Sequence, residues 1–180
     1  MIHTYIDELA KHFNTSTFFT KTAGLIKVLS VKNNGQVKKF PASLKVYQNN
    51  LCTVLSDYVD LIPNSGEKAI VYFELDQSAI HVKKNITLFS GEITSVIWYN
   101  SELLPTENLD KLLFLTVSGL LRDFKTDDAL FIASKLKITQ EPLKQPFLKF
   151  SYSETDTQYT THPFGFKTYS IRYSFCTKNC

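Results

Sequence analysis

The sequence predicts an α+β fold, in which a mostly antiparallel β-sheet is packed by an N-terminal helix and one longer central helix. Three observations lead to this prediction. Predicted strands outnumber predicted helices and do not alternate with them, which disfavours a doubly wound parallel sheet. Between Lys167 and Cys176, residues 168–175 alternate strictly between polar and apolar side chains, as an antiparallel strand does. Residues 106–124 carry a wide apolar stripe at helical spacing.

The N-terminal helix is predicted over residues 2–13. Apolar side chains recur there at the i, i+3, i+4 and i+7 positions of one helix face, namely Ile2, Tyr5, Ile6, Leu9 and Phe13. Asp7 and Glu8 lie off this stripe. The pattern indicates a helix that buries one face and leaves the other in water.

A β-hairpin is predicted to follow. Residues 25–31 are rich in strand-forming types, and Asn33-Asn34-Gly35 predicts a tight turn because Asn and Gly tolerate positive φ. Residues 36–47 are the predicted return strand, in which Pro41 indicates an edge or a bulge.

Residues 51–62 fit two interpretations. Their apolar spacing suits a helix, whereas their β-branched residues and the exit at Pro63 suit a strand. We predict a strand or irregular structure. The next segment is clearer, because residues 69–75 are apolar on both parities and predict a strand covered on both faces. Residues 80–89 predict a further strand or a hairpin arm, and residues 92–99 predict a strong strand.

The central helix is predicted to begin with Thr106 as its N-cap, and Glu107 and Asp110 suit the positive end of the helix dipole. Strands are predicted over residues 129–138 and 147–152, and an exposed loop over residues 153–162. In the last strand one face is predicted to lie in the core (Tyr169, Ile171, Tyr173, Phe175) and the other in water (Thr168, Ser170, Arg172, Ser174).

The composition indicates one globular domain spanning residues 1–180. The chain is 43% hydrophobic and 13% aromatic, which excludes a disordered protein, and no Gly/Ser-rich linker divides it. Its three cysteines (Cys52, Cys176 and Cys180) have no framework spacing, so we expect a reducing, intracellular origin. The first residues do not resemble a secretory signal, and residues 112–121, the most apolar window, are half as long as a membrane helix, so we expect a soluble protein.

The positive charge is concentrated in the first third of the chain. Residues 1–47 hold seven lysines against only Asp7 and Glu8. A solvated lysine face is one interpretation, and a surface for a phosphate backbone or an acidic partner is the other. Arg122 and Arg172 are the only arginines, which argues against sequence-specific recognition of nucleic acid.

Motifs that carry chemistry are missing from the sequence. It contains no P-loop, no G-x-G-x-x-G, no G-x-S-x-G and no H-E-x-x-H pattern. The one metal-site candidate is His162 with Cys176 and Cys180, and ordinary free thiols are the preferred interpretation. We therefore expect neither an enzyme nor a cofactor.

Three further groups are candidates for functional residues. Cys52 with His81 or His162 would form a nucleophile pair, but an apolar setting favours a core cysteine. Glu74 lies near the end of an apolar strand, where a desolvated carboxylate would act as an acid or base, or else would form a strand-end or interface ion pair. The aromatic residues of the last strand would stack on single-stranded nucleic acid, but their alternation favours a place in the core.

Several short strings carry a resemblance to a known family. They are residues 60–65, residues 70–74, Val96-Ile97-Trp98-Tyr99-Asn100, and an ending with Tyr152, His162-Pro163-Phe164 and Tyr169-Ser170-Ile171. In this order they resemble the neck and tail ring proteins, head-to-tail connector or tail-terminator-like, of crAss-like and related tailed phages of Bacteroidetes.

The resemblance implies a virion structural protein, made in the host cytoplasm, whose copies form a ring between portal and tail. It implies self-association, neighbouring portal, connector or tail proteins as partners, and no enzymatic role, cofactor, metal or membrane. Loops or arms that reach neighbours are then expected near residues 33–36, 76–90 and 151–164.

The basic segment acquires a possible role from this resemblance. Its lysines would face passing DNA in a lumen, without reading its sequence, or an acidic neighbour; they are Lys21, Lys27, Lys32, Lys38, Lys39 and Lys45. The alternative function is a monomeric soluble binding module whose sheet is a platform for a peptide or small ligand.

Overall fold

Two helices and eight strands make up the part of the chain that the structure describes. The structure is a computed structural model, and it describes residues 2–33, 36–48, 51–61, 64–83, 86–105, 107–125, 131–138 and 163–178. In chain order the elements are α1 (Ile2–Phe13), β1 (Lys21–Leu25), β2 (Lys27–Asn33), β3 (Gln36–Gln48), β4 (Leu51–Asp60), β5 (Ala69–Lys83), β6 (Ile86–Asn100), α2 (Leu109–Asp123), β7 (Phe131–Ile138) and β8 (Phe164–Lys178). The predicted α+β class is confirmed.

All eight strands belong to one mixed sheet. β1 and β2 pair with successive parts of one edge of β3, and β4 pairs with its other edge. From β3 the order of the sheet continues β1-β5-β6-β8-β7. The pairing of β1 with β5 is parallel, whereas the other described pairings are antiparallel. Residues 51–60 are therefore a strand, as one of the two interpretations of that segment held.

Helix α1 has the predicted bounds and buries the predicted stripe. Tyr5, Ile6, Leu9, Ala10 and Phe13 are buried, and the helix packs mainly on β1. The ring of Tyr5 stacks on that of Phe175 in β8, with 4.2 Å between the ring centroids. The spacing of apolar residues thus fixes which face of α1 meets the sheet.

Helix α2 begins two residues later than the predicted N-cap implies. Asn108 occupies the N-cap position with a left-handed backbone (φ 58°), and its carbonyl accepts the first helical hydrogen bond, from Leu112 at 2.9 Å. Asn adopts this conformation more readily than most residues. The prediction of Thr106 as the N-cap is therefore wrong, and Thr106 itself lies outside the described residues.

The central strands form the core. Ile70, Val71, Tyr72 and Phe73 are all fully buried, so the strand predicted to be covered on both faces is so covered. One face of the sheet meets α1 and α2. The other carries a smaller apolar cluster of Ala23, Val46, Leu61, Tyr72, Val96 and Trp98.

Strand β8 departs from its prediction on one face. Tyr169, Ile171, Tyr173 and Phe175 are buried as expected, but Thr168 and Ser170 are buried too. The prediction that this polar face lies in water is wrong for these two residues, and Arg172 is where exposure begins. Thr168 pairs with Val96, which belongs to the second apolar cluster, and alternation in β8 alone does not reveal that cluster.

Two hairpins turn at the same end of the sheet, and β8 pairs with β6 along the whole of the second one. The β2–β3 hairpin (residues 27–33 and 36–42) continues the edge of β3 that β1 begins, in the same register. The β5–β6 arm (residues 76–83 and 86–92) continues β5 and β6 beyond Leu75, where the register shifts. The arms predicted near 33–36 and 76–90 lie at these hairpins. The predicted strand 147–152, the loop 153–162 and all but the last two residues of arm 151–164 lie outside the described residues.

Candidate functional site

Lys21, the first lysine of the predicted basic surface, is used inside the fold. Its ammonium forms an ion pair with the carboxylate of Glu67, and the two side chains are only 15% and 9% exposed. Glu67 also accepts a hydrogen bond from the backbone N–H of Asn64 at 3.1 Å. The Lys21 charge is therefore balanced at the end of the sheet where β5 begins.

Lys45 is also neutralised within the fold. Its Nζ lies 2.9 Å from Asp7 Oδ2, which joins β3 to α1. Asp7 is one of the two acidic residues that the sequence places in the basic third. Two of the six predicted partner-facing lysines thus have carboxylates of this chain beside them.

The other four predicted lysines lie on the β2–β3 hairpin. Lys27 and Lys32 are exposed on β2, and their odd separation places them on opposite faces of that strand. Lys38 and Lys39 belong to β3, where the register pairs them with Val31 and Ser30. The sequence of this hairpin contains no acidic residue. The hairpin is therefore a basic projection, whose role toward a partner stays a prediction.

The β5–β6 arm carries a different kind of surface. Ile80, Val82 and Ile86 are 62%, 69% and 47% exposed, more than any other large apolar strand residue whose side chain the structure describes. Sequence reasoning gave this segment as a possible arm but did not single out these side chains. The sequence pattern that points to this segment is the alternation of Ile80 and Val82 around His81. It predicts a strand but does not predict that the apolar face of the strand is exposed to solvent.

The metal-site and nucleophile candidates are not brought together in the described residues. Cys176 is a half-buried free thiol in β8, whereas His162 and Cys180 lie outside the described part. Cys52 belongs to β4 and His81 to β5, and strands β3 and β1 lie between them in the sheet. Among the described residues no group of three His, Cys, Asp or Glu side chains could hold a metal ion.

Glu74 is buried at 8% exposure in β5, opposite Thr94 of β6. The sequence suggested that it lies near the end of a strand, but β5 continues to Lys83. Near it the hydroxyl of Thr94 donates a hydrogen bond to Asp76, and Arg172 donates one to Glu92 at 3.1 Å. These contacts tie neighbouring strands together on the face opposite the helices.

The tyrosines of β8 belong to the core. Tyr169 and Tyr173 are 1% exposed, so they do not form a stacking platform, in agreement with the preferred interpretation of their alternation. Burial raises the pKa of Tyr169 to about 12, and the negative charge of Asp110 and the neighbouring Tyr99 contribute to the rise. Burial also raises the pKa of Tyr173.

Comparison of the chain with models of protein families found no match, and comparison with curated proteins found none either. No helix within the described ranges has the length and apolar character needed to cross a membrane.

Proposed function

We propose that the chain is a self-associating structural subunit of a tailed-phage virion, part of a ring in the neck or tail that joins portal and tail. The observation that carries the proposal is the exposure of Ile80, Val82 and Ile86 on the β5–β6 arm. Ile80 and Val82 lie on one face of β5, whereas Ile86 lies on the opposite face of the sheet. Exposed apolar side chains grouped at a sheet edge are typical of surfaces that bind protein. The family resemblance supplies the identity of the assembly.

The basic β2–β3 hairpin supports a second part of the proposal. Lys21 and Lys45 are engaged by Glu67 and Asp7, whereas Lys27 and Lys32 are exposed on this projection. Lysines attract the phosphate backbone without selecting a sequence. The hairpin therefore suits a place in a lumen that DNA crosses, or a contact with an acidic neighbouring protein.

The proposal includes no chemical reaction. The ion pairs given above join a strand to a neighbouring strand, to α1 or to the turn before β5, as expected of charges that serve the fold. A monomeric binding module is the alternative, for which the exposed apolar arm would be a docking strip for a peptide. The two functions differ in oligomeric state.

The test is the native mass of the purified protein over a concentration series, with negative-stain images of the largest species. The proposal expects oligomers that grow with concentration and include rings. A monomer at every concentration, both in free solution and in the presence of linear double-stranded DNA as a template, contradicts the proposal and favours the binding module.

A further inference from the structure

We infer that the outer edge of β5, from residue 78 to residue 82, pairs antiparallel with the same edge of a second copy of the chain, centred on Ile80. This inference rests on the proposed self-association and names the surface that performs it. It is carried by the geometry of the sheet edge, the exposure of its side chains and the distribution of charge along it.

The outer edge of β5 is open from residue 77 onward because β1 stops pairing with β5 before that point. Strand β1 pairs with β5 only between Lys21 and Leu25, and Ile26 N–H makes the last backbone hydrogen bond, to Phe73 at 3.1 Å. The chain then continues as β2, which pairs with β3 instead. Within the described residues, β6 is thus the one strand beside residues 77–83 of β5. Such an edge presents backbone N–H and C=O groups that an added strand can pair with.

The side chains along this edge are open to solvent. Every residue from Ser78 to Val82 is exposed. Ile80 pairs with Phe89 of β6, which in turn pairs with Phe175 of β8, with 4.9 Å between the two ring centroids. Ile80 therefore ends an apolar row that crosses three strands on the face covered by α1. A strand added beside Ile80 would extend that row and bury its exposed end.

The edge also carries none of the charges or prolines that keep strands apart. No Lys, Arg, Asp, Glu or Pro occurs between Gln77 and Val82. Charged residues and proline are what normally protect an exposed edge from pairing. Their absence over six residues, together with the exposed Ile80 and Val82, indicates an edge that is used for association.

The distribution of charge along the edge favours an antiparallel orientation of the two strands and a second copy of the chain as the partner. Asp76 precedes the edge and Lys83 ends it. Antiparallel self-pairing brings the acidic start of one strand to the basic end of the other, whereas parallel self-pairing brings like charges together. Centring on Ile80 sets Ile80 beside its counterpart and Val82 opposite Ser78. A centre on Ala79 would instead set Val82 opposite Asp76, an apolar residue against a carboxylate.

This contact has a consequence for the assembly. A two-fold contact closes after two copies, whereas a ring needs a second, head-to-tail surface. The self-paired β5 edge therefore joins subunits in pairs, and a ring that contains it holds an even number of copies or is one of two rings joined face to face.

The first experiment compares dimerisation of the natural chain with that of Ile80→Lys/Val82→Lys. Both side chains are exposed, so the variant is expected to fold, which circular dichroism checks. Four lysines brought together should raise the dimer dissociation constant, measured by sedimentation, at least about tenfold. The matched control is Leu115→Lys, which places a charge at a 56% exposed apolar position on α2 and should leave dimerisation unchanged.

A second experiment fixes the register. Equivalent residues directly opposite each other in an antiparallel pair lie close enough for a disulfide, so Ile80→Cys should cross-link two copies under mild oxidation. Ala79→Cys should not, because Ala79 faces His81 of the second copy, and the natural chain measures the background from its own cysteines.

The outcomes separate this inference from the proposed function. If the natural chain assembles and the double-lysine variant assembles equally well, the inference is overturned while self-association stands. Equal cross-linking at positions 79 and 80, or none at 80, also overturns it. If the natural chain never assembles, the proposed function itself fails.

Discussion

Lys45 Nζ lies 2.9 Å from Asp7 Oδ2, and this ion pair holds α1 against the sheet. The carboxylate of Asp7 occupies the space above Gly24 of β1. A Cβ added at Gly24 would overlap Asp7 Oδ1 and lie 3.6 Å from the Asp7 Cα. A lysine that the sequence suggests for a partner thus helps to position the N-terminal helix, and the glycine makes room for its carboxylate.

Gly24→Ala should therefore loosen the contact between α1 and β1. We expect the free energy of unfolding in urea to fall by about 1–3 kcal/mol, the usual cost of overpacking. Gly119→Ala is the matched control, because a Cβ there meets nothing within 4 Å. Gly119 lies inside α2, so its replacement should stabilise the protein by about 0.5–1 kcal/mol. A loss of stability no larger for Gly24→Ala than for Gly119→Ala would contradict this account.

The buried ion pair between Lys21 and Glu67 should contribute more to stability than an exposed one. Glu67→Gln leaves the Lys21 ammonium without its counter-charge, and we expect a loss of about 2 kcal/mol in the free energy of unfolding. Asp123→Asn is the control, since it removes the partner of Arg122 from a pair whose side chains are 63% and 77% exposed. Urea denaturation should detect no change for the control, and equal effects of the two substitutions would count against the assignment.

The raised pKa of Tyr169 predicts a loss of stability in alkali. In the folded protein this pKa is about 12, against an ordinary value of 10.0, and the pKa values of Tyr99 and Tyr173 are raised as well. Below pH 10 the phenols are neutral in both states. Between pH 10 and 12 the unfolded chain ionises first, so stability falls as pH rises. Melting temperatures over this range should fall less steeply for Tyr169→Phe, and an identical slope would exclude Tyr169 as the cause.

The hydrogen bond from Trp98 Nε1–H to the Tyr72 hydroxyl, 3.0 Å long, lies in the second apolar cluster. Tyr72→Phe removes its acceptor and should cost about 1–3 kcal/mol. Trp98 is the only tryptophan in the chain, so its fluorescence reports unfolding from this site. An unchanged urea midpoint in a fluorescence titration would show that the bond contributes little.

Local patterns predict much of this fold. The stripe in residues 2–13 gives the bounds and the buried face of α1, and the alternation in residues 169–175 gives the core face of β8. Two kinds of prediction fail. Burial is mispredicted where a segment distant in the sequence covers a side chain, and a helix start is mispredicted where backbone conformation sets it. Thr168 and Ser170 are buried on a face that alternation assigns to water, and the start of α2 depends on the backbone of Asn108 rather than on a polar side chain at Thr106.

The candidate surface could be predicted only in part, for the same reason. Charge counting identifies a basic third, but pairing across the fold removes Lys21 and Lys45 from it. The exposure of Ile80 follows from β1 ending at Leu25 and β2 turning to β3. The arrangement of the strands determines both the pairing of these lysines and the exposure of Ile80. The sequence near residue 80 does not indicate that arrangement.

The most direct test of the proposed function is the native mass of the unmodified chain by sedimentation from low to high concentration. Our account predicts a dimer as the first step and larger, even-numbered species above it, with rings in negative stain. A single monomeric species at every concentration, alone and with linear double-stranded DNA as a template, would contradict it.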